Sequence, residues 1–466
     1  MKMMMTRKTS FLLAAACVAF VFSSAAAASG KRAPMPEPAL ASRVRQELLH
    51  AWNGYKQYAC GHDDLLPASR AAHDWHAQTL YMTAVDSLDT LILMGLDEEA
   101  AATREYLAEH LSFDHDIEVK NFEITIRILG GLLSSYQLSG DARLLDLAED
   151  LGRRLVPVFE SPTGMPYMYV NLKTGAVREA ESNPAEIGTL ILEFGTLSKL
   201  TGDDVYYEKA KRALVALYDR RAKTGLVGQG IDVETGRFTD TTSHVGGAID
   251  SYYEYLLKCE RLFGDAECGA MWRTSIKAVN RRLADKVDGG LWYGEADMTT
   301  GRRTATTYGA LHAFLPGVLA LGGDLGRARK LQESGLRMWS LHGIEPEVLD
   351  YRTMEVVSPG YQLRPEIVES AYVLHRLTGD PRYVEMGRTI FEDLVRYCRT
   401  DTGYTTLKSV VTKEQGDYQH SFLLAETLKY LYLLFAPEAL DFDSVVFNTE
   451  AHPLRATWRT SAAPQK

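Results

Sequence analysis

The sequence predicts an all-α protein of the α/α-toroid class, two concentric rings of paired helices. Three observations carry this prediction. A Gly-Asp turn recurs along the chain at a spacing suited to one helix pair plus a loop. The helix before each turn is apolar nearly all round, as in "GTLILEFGTLSKL", and the helix after it is amphipathic, as in "RYVEMGRTIFEDLVRY". The long connections carry strand-like hairpins, all between an amphipathic helix and the next apolar one.

The turns read "MGLDEE" at Asp97, "LSGD" at Asp141, "LTGD" at Asp203, "LFGD" at Asp265, "LGGD" at Asp324 and "LTGD" at Asp380, at intervals of 44, 62, 62, 59 and 56 residues. A seventh member ends at "LLFAP", Leu433 to Pro437, where proline is the breaker. Glycine closes a helix by taking the left-handed conformation, and Asp caps the next by accepting backbone N–H bonds. A helix apolar on every side belongs inside, an amphipathic one outside. Seven pairs joined short at one end and long at the other give an inner and an outer ring. A right-handed solenoid, the alternative, would leave the inner helices less fully buried. The hairpins "MPYMYVNLKTGAVRE", "LVGQGIDVETGRFTD" and "GLWYGEADMTTGRRTAT", each with a Thr-Gly turn, then decorate the mouth where the inner helices begin.

The chain ends read differently. Lys2, Arg7 and Lys8, then "FLLAAACVAFVF" and "SSAAAASG", read as a signal peptide over residues 1–28, with an apolar core too short to span a bilayer. Residues 29–40 read as a flexible lead-in, 41–455 as the barrel and 456–466 as a tail. Periplasmic or secreted localisation is expected, without stable membrane insertion. The chain has no Asn-x-Ser/Thr sequon and no Lys-Asp-Glu-Leu-like retrieval signal, which favours a bacterial envelope or secreted protein. A net charge of -10 without a basic block argues against a nucleic-acid partner. Beyond the signal segment lie Cys60, Cys259, Cys268 and Cys398. Cys259 and Cys268 are close enough to pair, though spacing alone does not decide it, and no Cys-x-x-Cys or His cluster points to zinc.

Aligned on their turns, the inner helices place carboxylates at one level. Asp86, Glu123, Glu186, Asp250 and Glu366 lie 11, 18, 17, 15 and 14 residues before their turn Asp, near each helix N-terminus, and the fifth helix offers His312 in the same region. The helix dipole explains any one such acid. As a set pointing into a shared cavity they repel, and a cation or a function must offset the crowding. Crowding also raises pKa values, as a general acid requires. Arg127, one turn from Glu123, and Arg364, two residues before Glu366, are placed to steady them. Paired carboxylates in a deep pocket suggest glycoside hydrolysis, with Tyr252, Tyr253, Trp292, Tyr293 and Phe422 as candidate aromatic faces for sugar.

At these residues the sequence resembles the class I α-1,2-mannosidases, glycoside hydrolase family 47. The matching blocks are "AVDSLDTLILMGL", "NFEITIRILGGLLSSYQLSGD", "EIGTLILEFGTLSKLTGD", "DSYYEYLLK", "LRPEIVESAYVLHRLTGDPRY", "SFLLAETLKYLYLLF" and "FNTEAHPL", from about Trp52 to Leu454. "FLPGVLALGGD" and "GGAIDSYYEYLLK" look closer to the EDEM-like branch, linked to glycoprotein degradation, than to the processing branch. The resemblance implies an (α/α)7 barrel with small β-hairpins at one mouth and a C-terminal β-hairpin plugging the other end. It implies calcium-dependent, inverting removal of terminal α-1,2-linked mannose from mannose-rich oligosaccharides or glycoprotein glycans, by a protein expected to be a monomer.

The resemblance also implies roles. Glu123 matches the general acid, Glu366 the general base, Asp250 a third essential carboxylate and Phe422 an aromatic that stacks on the sugar. Arg127 and Arg364 fall among the substrate-binding residues. Thr449, in "NTE", would bind Ca2+ at the cavity floor through its carbonyl and hydroxyl oxygens. Calcium takes roughly six to eight oxygens, so waters and sugar supply the rest, with Glu186, Glu366, Glu369, Glu426 and Glu450 placed to hold those waters. The chain departs from the family where Ala248 replaces an Arg usual in the processing branch, and where Ala310 replaces a His, with His312 two positions later. Both changes bear on which glycan branch is preferred. A mannose-binding, lectin-like protein with little hydrolysis is the alternative; the presence of all three carboxylates argues against it. A different α/α-toroid glycosidase or lyase, with six pairs and no calcium, is a third reading.

Overall fold

The computed structural model describes residues 36–459. The expected signal peptide, residues 29–35 of the lead-in and residues 460–466 of the tail lie outside the described residues. Within them, seven apolar helices form an inner ring. The first is Met82–Leu93, the second spans 121–139, the third 184–201, the fourth is Asp250–Phe263, the fifth spans 310–321, the sixth is Glu366–Thr378 and the seventh spans 423–435. Each packs against the next, and the seventh returns to the first, so the ring is closed. The outer helices are Asp97–His110, Ala142–Leu155, Val205–Asp219, Ala266–Arg282, Leu325–Ser340 and Arg382–Cys398. The seventh outer helix is Pro38–Tyr58, which packs on the last inner helix and so joins the two ends of the chain.

The turns work by local backbone chemistry. Gly140 and Gly264 end their helices at φ 74° in the left-handed region. Asp141 and Asp265 then accept the backbone N–H groups of Arg143 and Cys268, capping the outer helices. Across the second of these turns Cys259 and Cys268 form a disulfide. Cys60, exposed, and Cys398, buried, remain free.

A three-stranded motif repeats four times. A strand just before an inner helix pairs with a hairpin that follows the next outer helix. The first motif joins Glu118–Lys120 to Tyr169–Asn171 and Val177–Arg178, and the second joins Glu181–Ser182 to Gly230–Asp232 and Phe238–Asp240. The third joins Thr242–Ser243 to Glu295–Asp297 and Arg303–Ala305, and the fourth joins Thr307–Gly309 to Val348–Asp350 and Glu355–Ser358. The fourth hairpin turns through Met354 at φ 61° rather than glycine, so a Thr-Gly signal does not flag it. The motifs gather at the end where the inner helices start.

The seventh outer helix, which comes first in the chain, begins at Pro38, inside the stretch read as lead-in. At the other end Thr457–Arg459 forms a 3-10 turn, inside the stretch read as tail, and Trp458 stacks on Phe263 at 5.8 Å. Among the described residues no helix is long and apolar enough to cross a membrane.

Closure of the ring is tight at Gly54, toward the C-terminal end of Pro38–Tyr58, where a Cβ would collide with the carbonyl oxygen of Thr402. Helix propensity favours alanine there by about 1 kcal/mol, whereas overpacking costs about 1–3 kcal/mol. Gly54→Ala should therefore lower the denaturation midpoint. A raised midpoint would mean that the turn around Thr402 yields freely.

Candidate active site

Four inner helices each send two side chains inward, one turn apart: Glu123 and Arg127, Asp250 and Glu254, Glu366 and Glu369, Phe422 and Glu426. The first of each pair sits near the helix start, the second roughly 4.5–6 Å further in, at 1.5 Å per residue. Glu186 comes from the third helix, capped by Asn183. The cavity between them measures about 350 Å³, and every residue to which the family resemblance gives a catalytic, substrate-binding or metal-binding role lines it. Two short turns of π-helix, Thr125–Leu129 and Leu423–Thr427, carry Arg127 and Glu426. A π-turn inserts an extra residue and re-aims the side chains beyond it, a device frequent at functional sites.

The floor is the loop 448–452 between strands Val445–Phe447 and Pro453–Arg455. Its polar groups bond to the inner helices. Asn448 Nδ2 donates to Ile126 O at 2.9 Å and to Glu193 Oε1 at 2.8 Å, while its Oδ1 accepts from the backbone of Glu450 and His452. Thr449 N–H donates to Tyr255 Oη at 3.2 Å, and Lys429 Nζ donates to Ala451 O at 2.7 Å. His452 bridges Asp89 at 2.7 Å and Asp86 at 3.0 Å. Gly130 makes room: a Cβ there would lie 2.6 Å from Asn448 Nδ2. Thr449 alone in this loop stays partly exposed, and it faces the cavity.

Eight carboxylates line the cavity against three cationic side chains, Lys120, Arg127 and Arg364. Arg127 Nε and Nη2 donate to Glu123 Oε2 at 3.0 and 2.9 Å, and Nη1 pairs with Glu450. Lys120 pairs with Glu186 at 2.7 Å and lies 4.0 Å from Glu123. Arg364 pairs with Glu347, at 3.2 and 2.9 Å, and not directly with Glu366. Burial pushes Glu366 up to about 7 against the pull of Arg364, and Asp250 to about 6. Glu186 rises to about 7 through burial, despite Lys120. Burial and then the charge of Glu254 raise Glu369 to about 8. Glu426 and Glu450 sit well above the carboxylate range through burial, reinforced for Glu426 by Glu450 and for Glu450 by Asp86. One oxygen each of Glu186 and Glu366 is buried without a hydrogen bond.

This donor set suits a hard cation, because it is all oxygen and its negative charge is undercompensated. Among the described residues no three acidic groups of the cavity bring oxygens within 4.8 Å of one another. The carboxylates of the cavity are therefore not spaced to ligate one ion together. The one close group, Cys259, Asp265 and Cys268, has its sulfurs in a disulfide and offers no thiolate.

Some sequence expectations move. Asp86 is fully buried and does not line the cavity; it holds His452 and Ser421 behind it. His312 lines a neighbouring chamber instead. Tyr252, Tyr253, Trp292 and Tyr293 are core, and only Phe422 of that set reaches the cavity. Sequence reasoning missed Glu254 and Lys120. Glu254 sits four residues after Asp250, the same one-turn spacing as Glu123 to Arg127, and that spacing could have found it. Lys258, a turn further on and nearly fully buried, pairs with Glu254 from below.

A closed helical toroid whose inner-helix starts surround a carboxylate-lined, floored cavity defines a glycoside-cleaving enzyme of the α/α-barrel class. The chain belongs to Glycosyl hydrolase family 47, whose profile matches residues 47–456. It is 37% identical over 442 residues to Alpha-mannosidase I MNS5 of Arabidopsis thaliana, covering 89% of this chain and 76% of that protein. It is 36% identical over 471 residues to ER degradation-enhancing alpha-mannosidase-like protein 2 of Mus musculus, covering 92% and 80%. Among solved structures, alpha-1,2-mannosidase from Trichoderma reesei superposes with a TM-score of 0.81 at 28% identity, covering 90% of this chain and 99% of that one.

The floor titrates. Burial opposes charge on His452, but Asp89 and Asp86 outweigh it and raise its pKa above 6.5. Burial likewise opposes charge on Asp89, but Lys429 and His452 outweigh it and hold it at about 2. The contribution of His452 is thus complete below its unfolded value and lost as pH rises through the folded one; that of Asp89 is lost as pH falls toward about 2. His452→Gln should cost about 3–5 kcal/mol near pH 5.5, because it leaves buried carboxylates unpaired, and less near pH 9. Thermal melts across that range check it; a pH-independent deficit would mean that His452 acts through packing alone.

Proposed function

We propose that the protein is a calcium-dependent, inverting exo-α-1,2-mannosidase that removes terminal mannose from mannose-rich glycans. One observation carries the reading. Glu123, Asp250 and Glu366, from three helices far apart in sequence, meet around one cavity closed at its base by Thr449 and its loop. A floored cavity admits a chain end and not an internal segment, which suits exo-cleavage. The relatives named as α-1,2-mannosidases supply the sugar and linkage.

Glu123, with 22% of its side chain exposed at the mouth and its other face held by Arg127, donates a proton to the leaving oxygen. Glu366, buried with one oxygen unpartnered, takes a proton from water as the water oxygen bonds to the anomeric carbon and the glycosidic C–O bond breaks. Attack opposite the leaving group inverts the anomeric centre. Burial first, and then the charges of Glu347 and Asp250, make Glu366 more basic against the pull of Arg364. Phe422, stacked on His420 at 4.7 Å, offers a ring face to the sugar.

Thr449 would hold Ca2+ through its two oxygens, and Glu186, Glu366, Glu369, Glu426 and Glu450 would hold the ion's waters. Bound there, calcium would offset the carboxylate repulsion and chelate sugar hydroxyls. The Cys259–Cys268 disulfide supports export to an oxidising compartment, the periplasm or the exterior.

Glu123→Gln and Glu366→Gln should each lower turnover of an α-1,2-linked mannobiose by about 10²–10⁴-fold with unchanged circular dichroism. Full activity in either variant removes that residue from the pair, and NMR should show β-mannose released first. Glycan binding without release in the parent would favour the lectin-like reading. Separately, protein verified as metal-free should lose turnover and regain it with Ca2+; undiminished turnover would sink the role of Thr449.

A further inference from the structure

The outer wall of the barrel carries an open cleft of about 630 Å³. One side is the outer helix Ala266–Arg282, and the other is the turn that follows the outer helix Val205–Asp219. None of the residues lining it lines the main cavity. These two outer helices pack on the inner helices 184–201 and Asp250–Phe263, which stand between the cleft and the cavity.

The cleft concentrates positive charge in a protein whose net charge is -10. Arg273, Lys277 and Arg281 come from the helix, Arg221 and Lys223 from the turn, and Asp219 is the one acidic residue that lines it. Among the described residues, Lys223 and Lys277 have no ion pair or hydrogen bond. Arg221 donates to Tyr218 O at 2.6 Å and Arg281 to Thr224 O at 3.4 Å, both backbone carbonyls. Of the five, Arg273 alone pairs with a carboxylate among the described residues, Glu260 at 3.0 Å.

Solvated surface cations are common, but these are ordered. Arg273, Lys277 and Arg281 lie four residues apart on an exposed helix face, so their charges repeat every ~6 Å along ~12 Å of the axis. Like charges at that spacing destabilise a helix, and the helix dipole favours only Arg281, in the last turn. The facing turn is held in place. Gly225 has φ 89°, a Cβ there would lie 2.6 Å from that of Ala278, and its N–H donates to Ala222 O at 2.8 Å. Thr224 Oγ1 donates to Met298 O.

Cations that converge from two walls suit an anion whose oxygens point in several directions. A carboxylate offers two oxygens in one plane, matched by a single guanidinium fork, whereas a phosphoryl group sets its oxygens tetrahedrally. The length of the helical row suits a chain of such groups. No aromatic side chain lines the cleft to stack a base, which disfavours a nucleic acid. The cleft is concave, and the exposed large apolar residues Leu341, Val357 and Val411 lie on other segments, which disfavours a membrane surface.

We propose that this cleft binds a phosphate-bearing polyanion chain and so tethers the protein by its outer wall, leaving the cavity free. The proposal does not depend on the mannosidase reading.

Calorimetric titration of a short inorganic polyphosphate into the protein tests it. Binding should saturate and should weaken as NaCl rises, because exposed charges are screened. Lys277→Glu and Lys223→Glu, one on each wall, should each weaken it about tenfold. Lys277→Glu should not lower the thermal midpoint, because it turns two like-charge neighbours on the helix into opposite-charge pairs. Turnover of an α-1,2-linked mannobiose should be unchanged in both variants; a parallel loss would join the cleft to the catalytic unit and overturn its separate role. Absence of binding, or a loss in one variant alone, would overturn the two-walled site. Polyglutamate bound as tightly would replace the phosphate chain with an acidic protein partner. Stronger binding of single-stranded DNA, or binding to phosphatidylglycerol vesicles alone, would overturn the proposal in favour of a nucleic acid or a membrane. If the protein releases no mannose but binds polyphosphate through both lysines, the hydrolase reading falls and the cleft stands.

Discussion

The buried contact of His452 with Asp86 and Asp89 is the interaction on which the rest of the site depends. A ring of helices by itself is a tube, open at both ends. The loop 448–452 makes it a cup, and that loop has little apolar surface with which to hold itself in place. It is held by polar bonds to inner helices one, two, three, four and seven. The ion cluster of His452, Asp86, Asp89 and Lys429 is fully buried, so each charge survives only because the others are present. Removing one partner would leave the remainder unpaired in the barrel's interior. The geometry at Thr449 is therefore inherited from residues that never touch the cavity.

The second constraint is repulsion. Gathering eight carboxylates raises the free energy of the folded state, and the scaffold offsets part of that. Arg127 is shared between Glu123 and Glu450, Lys120 bonds Glu186, and Lys258 meets Glu254 from beneath the cavity. Burial first, and neighbouring carboxylates after it, push Asp250, Glu186, Glu366 and Glu369 up to between about 6 and 8. A site that keeps such groups close to neutral pH is prepared for proton transfer and for a cation, at a cost in stability.

Much of the fold was legible because its signals are local. A Gly-Asp turn needs only its own backbone, and an apolar helix declares its burial in its own composition. The catalytic-level acids could be aligned because the inner helices run in one direction from one kind of turn. The failures have equally physical causes. His312 has the right register, but residues 310–314 form a 3-10 turn of about three residues per turn, which rotates the side chain away from the axis into the neighbouring chamber. Asp86 has the right register too, but its carboxylate is covered by Arg127, His452 and Ser421. Tyr252 follows Asp250 by two residues, and so faces away from the side on which Asp250 and Glu254 point inward, while Tyr253 is fully buried against the Tyr252 ring.

The sequence alone determined the helix pairs, their inward and outward faces, the chemistry of the mouth and the polar tripeptide that ends the folded chain. Those properties depend on neighbours within a few residues, where propensity, capping and periodicity act. Only the tertiary structure decided which distant segments meet: Pro38–Tyr58 with the seventh inner helix, His452 with Asp86, Arg364 with Glu347, and two histidines around a second chamber. Such meetings are set by ring closure and by the satisfaction of buried polar groups, and no stretch of sequence contains both partners.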